Sequence, residues 1–187
     1  RNAADKLFIT TSGIGRLIPG RKLSLESIRE TDKVILTGNI GQHGLAVLSK
    51  RNELDLGFNI KSDCAGLGGL LIPLLSASCA IRFMRDPTRG GVATTLNEIA
   101  EARGLGVIIE ERALPVSSRV KVACELLGID PLYIANEGMA VLIVAAQAAG
   151  RIVRELKKHP LGKNACVVGE VTKQPKGKVV LSANAGS

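Results

Sequence analysis

The stretch Met84-Arg85-Asp86-Pro87-Thr88-Arg89-Gly90-Gly91-Val92, continuing through Ala93-Thr94-Thr95-Leu96-Asn97-Glu98-Ile99-Ala100, decides how the chain is read. Pro87 biases Asp86 away from helical backbone, because its ring crowds the residue before it. Thr88 stands where a hydroxyl can cap the first turn of a helix. Gly90 and Gly91 leave that turn bare of side chains, so a ligand can approach the backbone. Beyond them Val92, Leu96 and Ile99 recur at i, i+4 and i+7, the core-facing stripe of an amphipathic helix. A helix N-terminus with exposed amides favours anions, phosphate above all. Asp86 beside it suits a magnesium ion, and Arg89 suits phosphate or carboxylate. The same residues also suit an ordinary glycine-rich turn.

Outward from this turn the chain alternates apolar strands with helices. Ile81–Met84 reads as a short strand leading in, and Lys33–Thr37 as a buried strand ending at Gly38. Gly41-Gln42-His43-Gly44 then precedes a short helix over Leu45–Lys50, a second strand, glycine turn and helix. His43 is a candidate nucleotide or substrate contact. Asn59–Ala65 is polar and irregular, and Gly66–Ala80 reads as a buried helix begun or interrupted at Pro73. Val107-Ile108-Ile109 marks another strand. Ser117 or Ser118 caps a helix carrying Val120, Ala123, Cys124 and Leu127, which Gly128 ends. Asn136-Glu137-Gly138 forms a loop before Met139–Val144, whose unbroken apolar run predicts a strand covered on both faces. Gln147–Lys158 is amphipathic, and Val167–Val171 and Lys178–Leu181 close the sheet. The pattern is α/β, with helices covering a central sheet.

Composition narrows the function. Hydrophobic residues make up 45% of the 187 but aromatics only 2%, so the core is aliphatic. That scarcity argues against single-stranded nucleic-acid binding, which uses aromatic stacking platforms. The net charge of +8 is concentrated from Arg151 onward, where eight basic residues face only Glu155 and Glu170. Such an end suits an acidic partner, nucleic acid or a membrane surface, and more often forms a solvated face. The four cysteines form no CxxC pair, which leaves zinc and redox motifs without support. Cys79, Cys124 and Cys166 sit among apolar neighbours and read as buried thiols; Cys64 lies in a polar stretch. No signal-peptide pattern or membrane-length apolar run is present, and the expectation is a reduced, cytoplasmic protein that binds neither nucleic acid nor membrane.

The MRDPTRGGVATTLNEIA stretch resembles the signature of the HypE family of hydrogenase maturation factors. That family falls within the superfamily of aminoimidazole ribonucleotide (AIR) synthetase (PurM), selenophosphate synthetase and thiamine monophosphate kinase. Ile9-Thr10-Thr11-Ser12-Gly13-Ile14-Gly15, Ile40-Gly41-Gln42-His43-Gly44, Ser62-Asp63-Cys64-Ala65 and the run Asp130–Gly138 match in the same order. The resemblance implies a three-layer α/β/α domain with a mixed sheet, like the C-terminal domain of PurM. It implies ATP and magnesium as cofactors and dehydration of a carbamoyl group carried on the protein's own C-terminal cysteine. The thiocyanate so formed supplies the cyanide ligand of nickel–iron hydrogenase. A HypF-like carbamoyltransferase, a HypC/HypD-like scaffold and homodimerisation are the partners implied.

On that reading Asp86, Thr88, Arg89, Gly90, Gly91, Asn136 and His43 contact the cofactor, and Asp86 holds the metal. Glu137 is the main candidate for a catalytic or metal-facing carboxylate. Glu98 is a second, or else holds Arg89 or another basic group in place. Gln42 departs from the family, which often has an acidic residue there. Residues 1–15, with a β-prone Leu7–Thr11, are expected to link to a missing N-terminal ATP-binding domain, and 16–187 to form the domain in hand. The family's Pro-Arg-Ile-Cys ending is not found in Ala185-Gly186-Ser187, so a fragment inactive alone is expected. The alternatives are a sibling ATP-dependent synthetase or kinase, and a non-catalytic docking domain.

Overall fold

The computed structural model describes residues 10, 12–51 and 58–183. Apart from Thr10, the strand expected over Leu7–Thr11 lies outside them, as does most of the expected linker. Eleven α and β elements follow: β1 (Lys33–Leu36), α1 (Gln42–Arg51), α2 (Gly68–Ala77), β2 (Ile81–Arg85), α3 (Gly91–Arg103), β3 (Gly106–Glu110), α4 (Ser118–Leu127), β4 (Val141–Val144), α5 (Ala149–Lys157), β5 (Cys166–Thr172) and β6 (Val179–Ser182). The strands form one sheet in the order β2-β4-β1-β5-β3-β6. Every pairing is antiparallel except β3 with β6, so the sheet is mixed, as expected.

The period of two along each strand divides the core into layers. Val34 and Leu36 of β1, with Val141 and Ile143 of β4, pack under α3, which contributes Val92, Leu96 and Ile99. Ile35, Leu142 and Val144 point to the opposite face, where Leu70 and Leu74 of α2 and Ile152 and Leu156 of α5 cover them. This is the three-layer α/β/α arrangement. Each large aliphatic side chain removed from water in this way, Leu96 for example, contributes about 1.5–3 kcal/mol. A third cluster joins α1 and α4 through Leu45, Val120, Ala123 and Ile134. It anchors the segment 131–138 beside the central turn.

Several boundaries differ from the sequence reading for local reasons. Helix α2 runs straight through Pro73 instead of starting or breaking there. The missing proline amide would have served only Gly69, in an exposed first turn, so one lost bond does not end the helix. Met139 and Ala140 lie outside β4. The Ala140 amide donates to Thr37 Oγ1 at 2.8 Å, and the Thr37 amide donates to the Ala140 carbonyl at 3.1 Å. Helix α1 begins at Gln42, earlier than Leu45, and α5 is preceded by a 3-10 turn at Ala146–Ala148. Ser117 caps α4 by accepting from the Val120 amide, and Gly128 ends it in a left-handed conformation, as expected.

Candidate active site

Strand β2 delivers the chain to Asp86, and the turn Asp86–Gly90 delivers it to α3. The N-cap of α3 is Gly90 itself, in a left-handed conformation and without a side-chain cap. Thr88 therefore does not cap the helix, contrary to expectation. Its hydroxyl donates instead to Asp86 Oδ2 at 2.7 Å and lies 3.3 Å from the Asn136 carbonyl. The reason is geometric: two consecutive left-handed glycines place Thr88 outside the first turn and beside the 136–138 loop. Asp86, Arg89 and Gly90 are exposed at the lip of this turn, while Pro87 and Gly91 are buried. Arg89 makes no ion pair among the described residues.

Gly91 is needed for a reason other than ligand access. A Cβ there would sit 2.4 Å from the Leu132 carbonyl oxygen and 2.7 Å from that of Ile134, at φ +62°. The residue faces the protein's own backbone, not open space. The second glycine turn docks on the same segment, for the Gly44 amide donates to the Ala135 carbonyl at 3.0 Å. Both turns thus converge on residues 132–136.

Asn136 ties them together from within. It is wholly buried. Its Oδ1 accepts from the Gly41 amide at 2.7 Å, and its Nδ2 donates to the carbonyls of Ile134 at 2.8 Å and Pro87 at 3.3 Å. Its backbone amide also donates to the Pro87 carbonyl, at 3.2 Å. Both side-chain hydrogens are committed to the backbone, so the side chain joins three loops and presents no free donor to a ligand.

Glu137, the next residue, is half-buried, and its carboxylate forms no hydrogen bond or ion pair among the described residues. Its backbone is held by Asp63, whose carboxylate accepts from the Glu137 amide at 3.3 Å and from the Gly138 amide at 3.0 Å. The sequence reading quoted Asp63 as part of a motif but gave it no role. A loop of backbone amides entering a buried strand needs acceptors, and a short acidic side chain in an otherwise irregular stretch is the usual source. His43 reaches this brace and not the Asp86–Gly90 turn: its Nδ1 lies 2.9 Å from Ser62 Oγ, which also accepts from the Cys64 amide. A cleft of about 380 Å³ opens beside it, lined by Gln42, Ser62, Asp63, Cys64, Gly138 and Lys163 among others.

Glu98 is elsewhere. It pairs with Arg85 of β2, not with Arg89, and both side chains are close to half exposed. Arg85 precedes the turn, on the helix flank that Glu98 faces, whereas Arg89 projects from the lip. Among the thiols, Cys79 is exposed, with the Arg21 guanidinium against its sulfur, which corrects the expectation of burial. Cys64 is exposed and Cys124 buried. Burial pushes the Cys124 thiol pKa up, with Asp130 and Glu125 adding to it; burial also raises that of Cys166, which Lys157 partly offsets.

The turn fits an anion. A thirteen-residue helix begins there with no acidic side chain in its first turn and no side-chain cap, beside an exposed arginine. The fit to a metal is partial. Among the described residues no group of three or more His, Cys, Asp or Glu side chains is arranged to hold one. Asp86 would therefore supply one ligand of a shell completed by other groups. No helix among the described residues is long and apolar enough to cross a membrane.

A three-layer sheet domain with a glycine turn docked against the 136–138 loop defines a class, and residues 29–182 match its family model, AIR synthase related protein, C-terminal domain. The chain belongs to that family. Within it, the chain is similar to carbamoyl dehydratase HypE of Bradyrhizobium diazoefficiens, 48% identical over 171 residues, which are 91% of this chain and 49% of that protein. The solved HypE–HypF complex matches with a TM-score of 0.84 at 42% identity, over 88% of this chain and 53% of that one. HypE in complex with ATP matches with a TM-score of 0.83 at 36% identity, over 88% and 51%. Thiamine monophosphate kinase of Stenotrophomonas maltophilia, at 17% identity and a TM-score of 0.63, shares the fold alone. The family resemblance read from the sequence is thus borne out, and the chain spans about half the length of the curated relatives it matches.

Proposed function

We propose that this chain supplies the C-terminal domain of an ATP-dependent carbamoyl dehydratase. The reaction converts an S-carbamoyl group on the protein's terminal cysteine to thiocyanate for the cyanide ligands of nickel–iron hydrogenase. The observation that carries the reading is the link through Asn136. It fastens the loop bearing an uncommitted carboxylate, Glu137, directly to Pro87 of the anion-binding turn. A phosphate site and a candidate base are thereby held in one rigid unit.

The roles follow from the side chains. Arg89 and the N-terminal end of α3 hold phosphate oxygens, and Gly90 permits the left-handed entry to that helix, where a Cβ would meet the Thr94 side chain. Asp86, steadied by the Thr88 hydroxyl, would supply one ligand to a magnesium ion accompanying the nucleotide. ATP supplies the phosphoryl group that turns the carbamoyl oxygen into a leaving group. The carbamoyl nitrogen loses one proton to solvent as its oxygen takes the phosphoryl group and ADP leaves; Glu137 takes the second as the carbon–oxygen bond breaks and phosphate departs, leaving the nitrile of the thiocyanate. Asn136, His43 and Gly91 shape the site without touching the reacting atoms, and Glu98 belongs to a surface ion pair. Residues 1–15 link to a preceding nucleotide-binding domain and 16–187 form this one. The partners on this reading are a HypF-like carbamoyltransferase, a HypC/HypD-like scaffold and a second copy of the chain, in the cytoplasm.

The test uses a protein of the relatives' full length that includes these residues, carbamoylated on its terminal cysteine. Intact-mass spectrometry is expected to show loss of one water on addition of Mg-ATP and none without it. A carbamoyl adduct that persists in the presence of Mg-ATP would refute the reading.

A further inference from the structure

Glu137 is the middle residue of three, and its neighbours on both sides are fixed. Before it, Asn136 is buried and bonded to Gly41, Pro87 and Ile134. After it, Gly138 is pressed so closely onto the 62–64 loop that a Cβ would lie 1.7 Å from the Asp63 carbonyl oxygen. The Asp63 carboxylate receives the Glu137 amide across both oxygens, at 3.3 Å each, and the Gly138 amide on Oδ2 at 3.0 Å. The loop carrying Asp63 is itself braced, because Ser62 Oγ contacts His43 Nδ1 and accepts from the Cys64 amide.

We infer that Asp63 is a positioning residue, which sets the direction of the Glu137 carboxylate through the two backbone amides on either side of its Cα–C bond. The inference rests on the proposed role of Glu137 as base. Asn136 fixes where the loop is attached to the phosphate turn, but it bonds upstream of Glu137 and leaves rotation about the 137–138 backbone unchecked. Asp63 removes that freedom. It does so with a carboxylate because two amides converge on it, and a charged acceptor binds backbone N–H groups more strongly than a neutral one. A neutral amide side chain offers one oxygen where the carboxylate uses two. Gly138 follows from the same requirement, since any side chain would push the loop off Asp63.

Proton transfer is sensitive to such placement, and a shift on the order of 1 Å costs about a hundredfold in rate. In the full-length protein, Asp63→Ala is therefore expected to lower kcat for ATP-dependent dehydration by about a hundredfold. The KM for ATP should stay within about twofold, since the α3 turn is held separately by Asn136. Asp63→Asn, which keeps one neutral acceptor oxygen, should recover only part of the loss. In a Glu137→Gln background Asp63→Ala should cost nothing more, because residues that act through one another are not additive.

Unchanged kcat in a folded Asp63→Ala variant would overturn the inference. So would a loss of kcat that comes with an equal rise in the KM for ATP and no rescue by asparagine, which marks a merely structural role. Activity retained by Glu137→Gln alone would instead sink the proposed base, and Asp63 with it. The single variant and the double variant thus separate failure of the positioning role from failure of the reading beneath it.

Discussion

The side-chain oxygen of Asn136 accepts a hydrogen bond from the backbone amide of Gly41, 2.7 Å away in space and 95 residues away in the chain. That contact, with those to Pro87 and Ile134, makes one buried amide the junction of two glycine turns and an acidic loop. The arrangement stabilises the site and also defines it. Without the side chain the Asp86–Gly90 turn is tied to the 136–138 loop only through the backbone of residue 136, and the tie to Gly41 is lost.

Asn136→Ala should accordingly destabilise the domain by about 2–3 kcal/mol, because the Gly41 amide and the Pro87 and Ile134 carbonyls lose a partner inside the protein. Urea denaturation of residues 1–187 measures this directly. A change under about 0.5 kcal/mol, the usual range for surface substitutions, would show that Asn136 is no junction.

Gly91→Ala is expected to cost at least about 2 kcal/mol, since a left-handed conformation is combined with a clash against the Leu132 and Ile134 carbonyls. Gly104 serves as control: its φ is +61°, but no atom lies within 4 Å of its Cβ position. Gly104→Ala should cost only the conformational part, about 1–2 kcal/mol. Equal melting temperatures for the two variants would contradict the packing of α3 on the 132–134 backbone.

Native-state thiol labelling should divide the cysteines in two. Cys64 and Cys79 are exposed and should react with an alkylating reagent, whereas buried Cys124 should react only after unfolding and half-buried Cys166 more slowly than the exposed pair. Burial raises the pKa of both protected thiols, which disfavours the reactive thiolate. Because the folded state holds these protons more tightly, their contribution to stability is full at neutral pH. It is lost as pH rises through the raised folded values. Rapid labelling of Cys124 in the folded chain would contradict its packing against α1.

Asp32 gives a second pH signature. Burial raises its pKa; the hydrogen bond from the Arg29 amide and the charges of Arg82 and Arg29 oppose that rise. The folded state therefore keeps this proton to higher pH than the unfolded one. Its stabilising contribution is complete below the ordinary carboxylate range and is lost as pH rises through the folded value. Asp32→Asn keeps an acceptor for Arg29 and should flatten the pH dependence of stability in that window. An unaltered slope in urea titrations from acid to neutral pH would rule out this assignment.

The layers of the fold were legible in the sequence because they rest on periodicity. Val92, Leu96 and Ile99 could face only one way on a helix, and Val141–Val144 could be apolar throughout only if covered on both faces. What escaped was tertiary. Thr88 reads as a cap until Asn136 is seen beside it, and Gly91 reads as room for phosphate until the Leu132 carbonyl is placed behind it. Asp63 lies 74 residues from Glu137, and no local pattern connects a polar loop to the amides it will accept. Glu98 reads either as a second catalytic carboxylate or as the holder of a basic group, and it is Arg85, one strand residue before the turn, that it pairs with.

That last contrast yields the most direct test, single-turnover dehydration of the carbamoylated full-length protein compared between two conservative variants. The pair between Glu98 and Arg85 is half exposed, so Glu98→Gln should turn over within about twofold of the parent and lose less than about 1 kcal/mol of stability. Glu137→Gln should fold equally well yet dehydrate at least about a hundredfold more slowly, the contribution expected of a general base. The reverse ranking, or parental turnover by Glu137→Gln, would contradict the assignment of this loop as the acidic side of the active site.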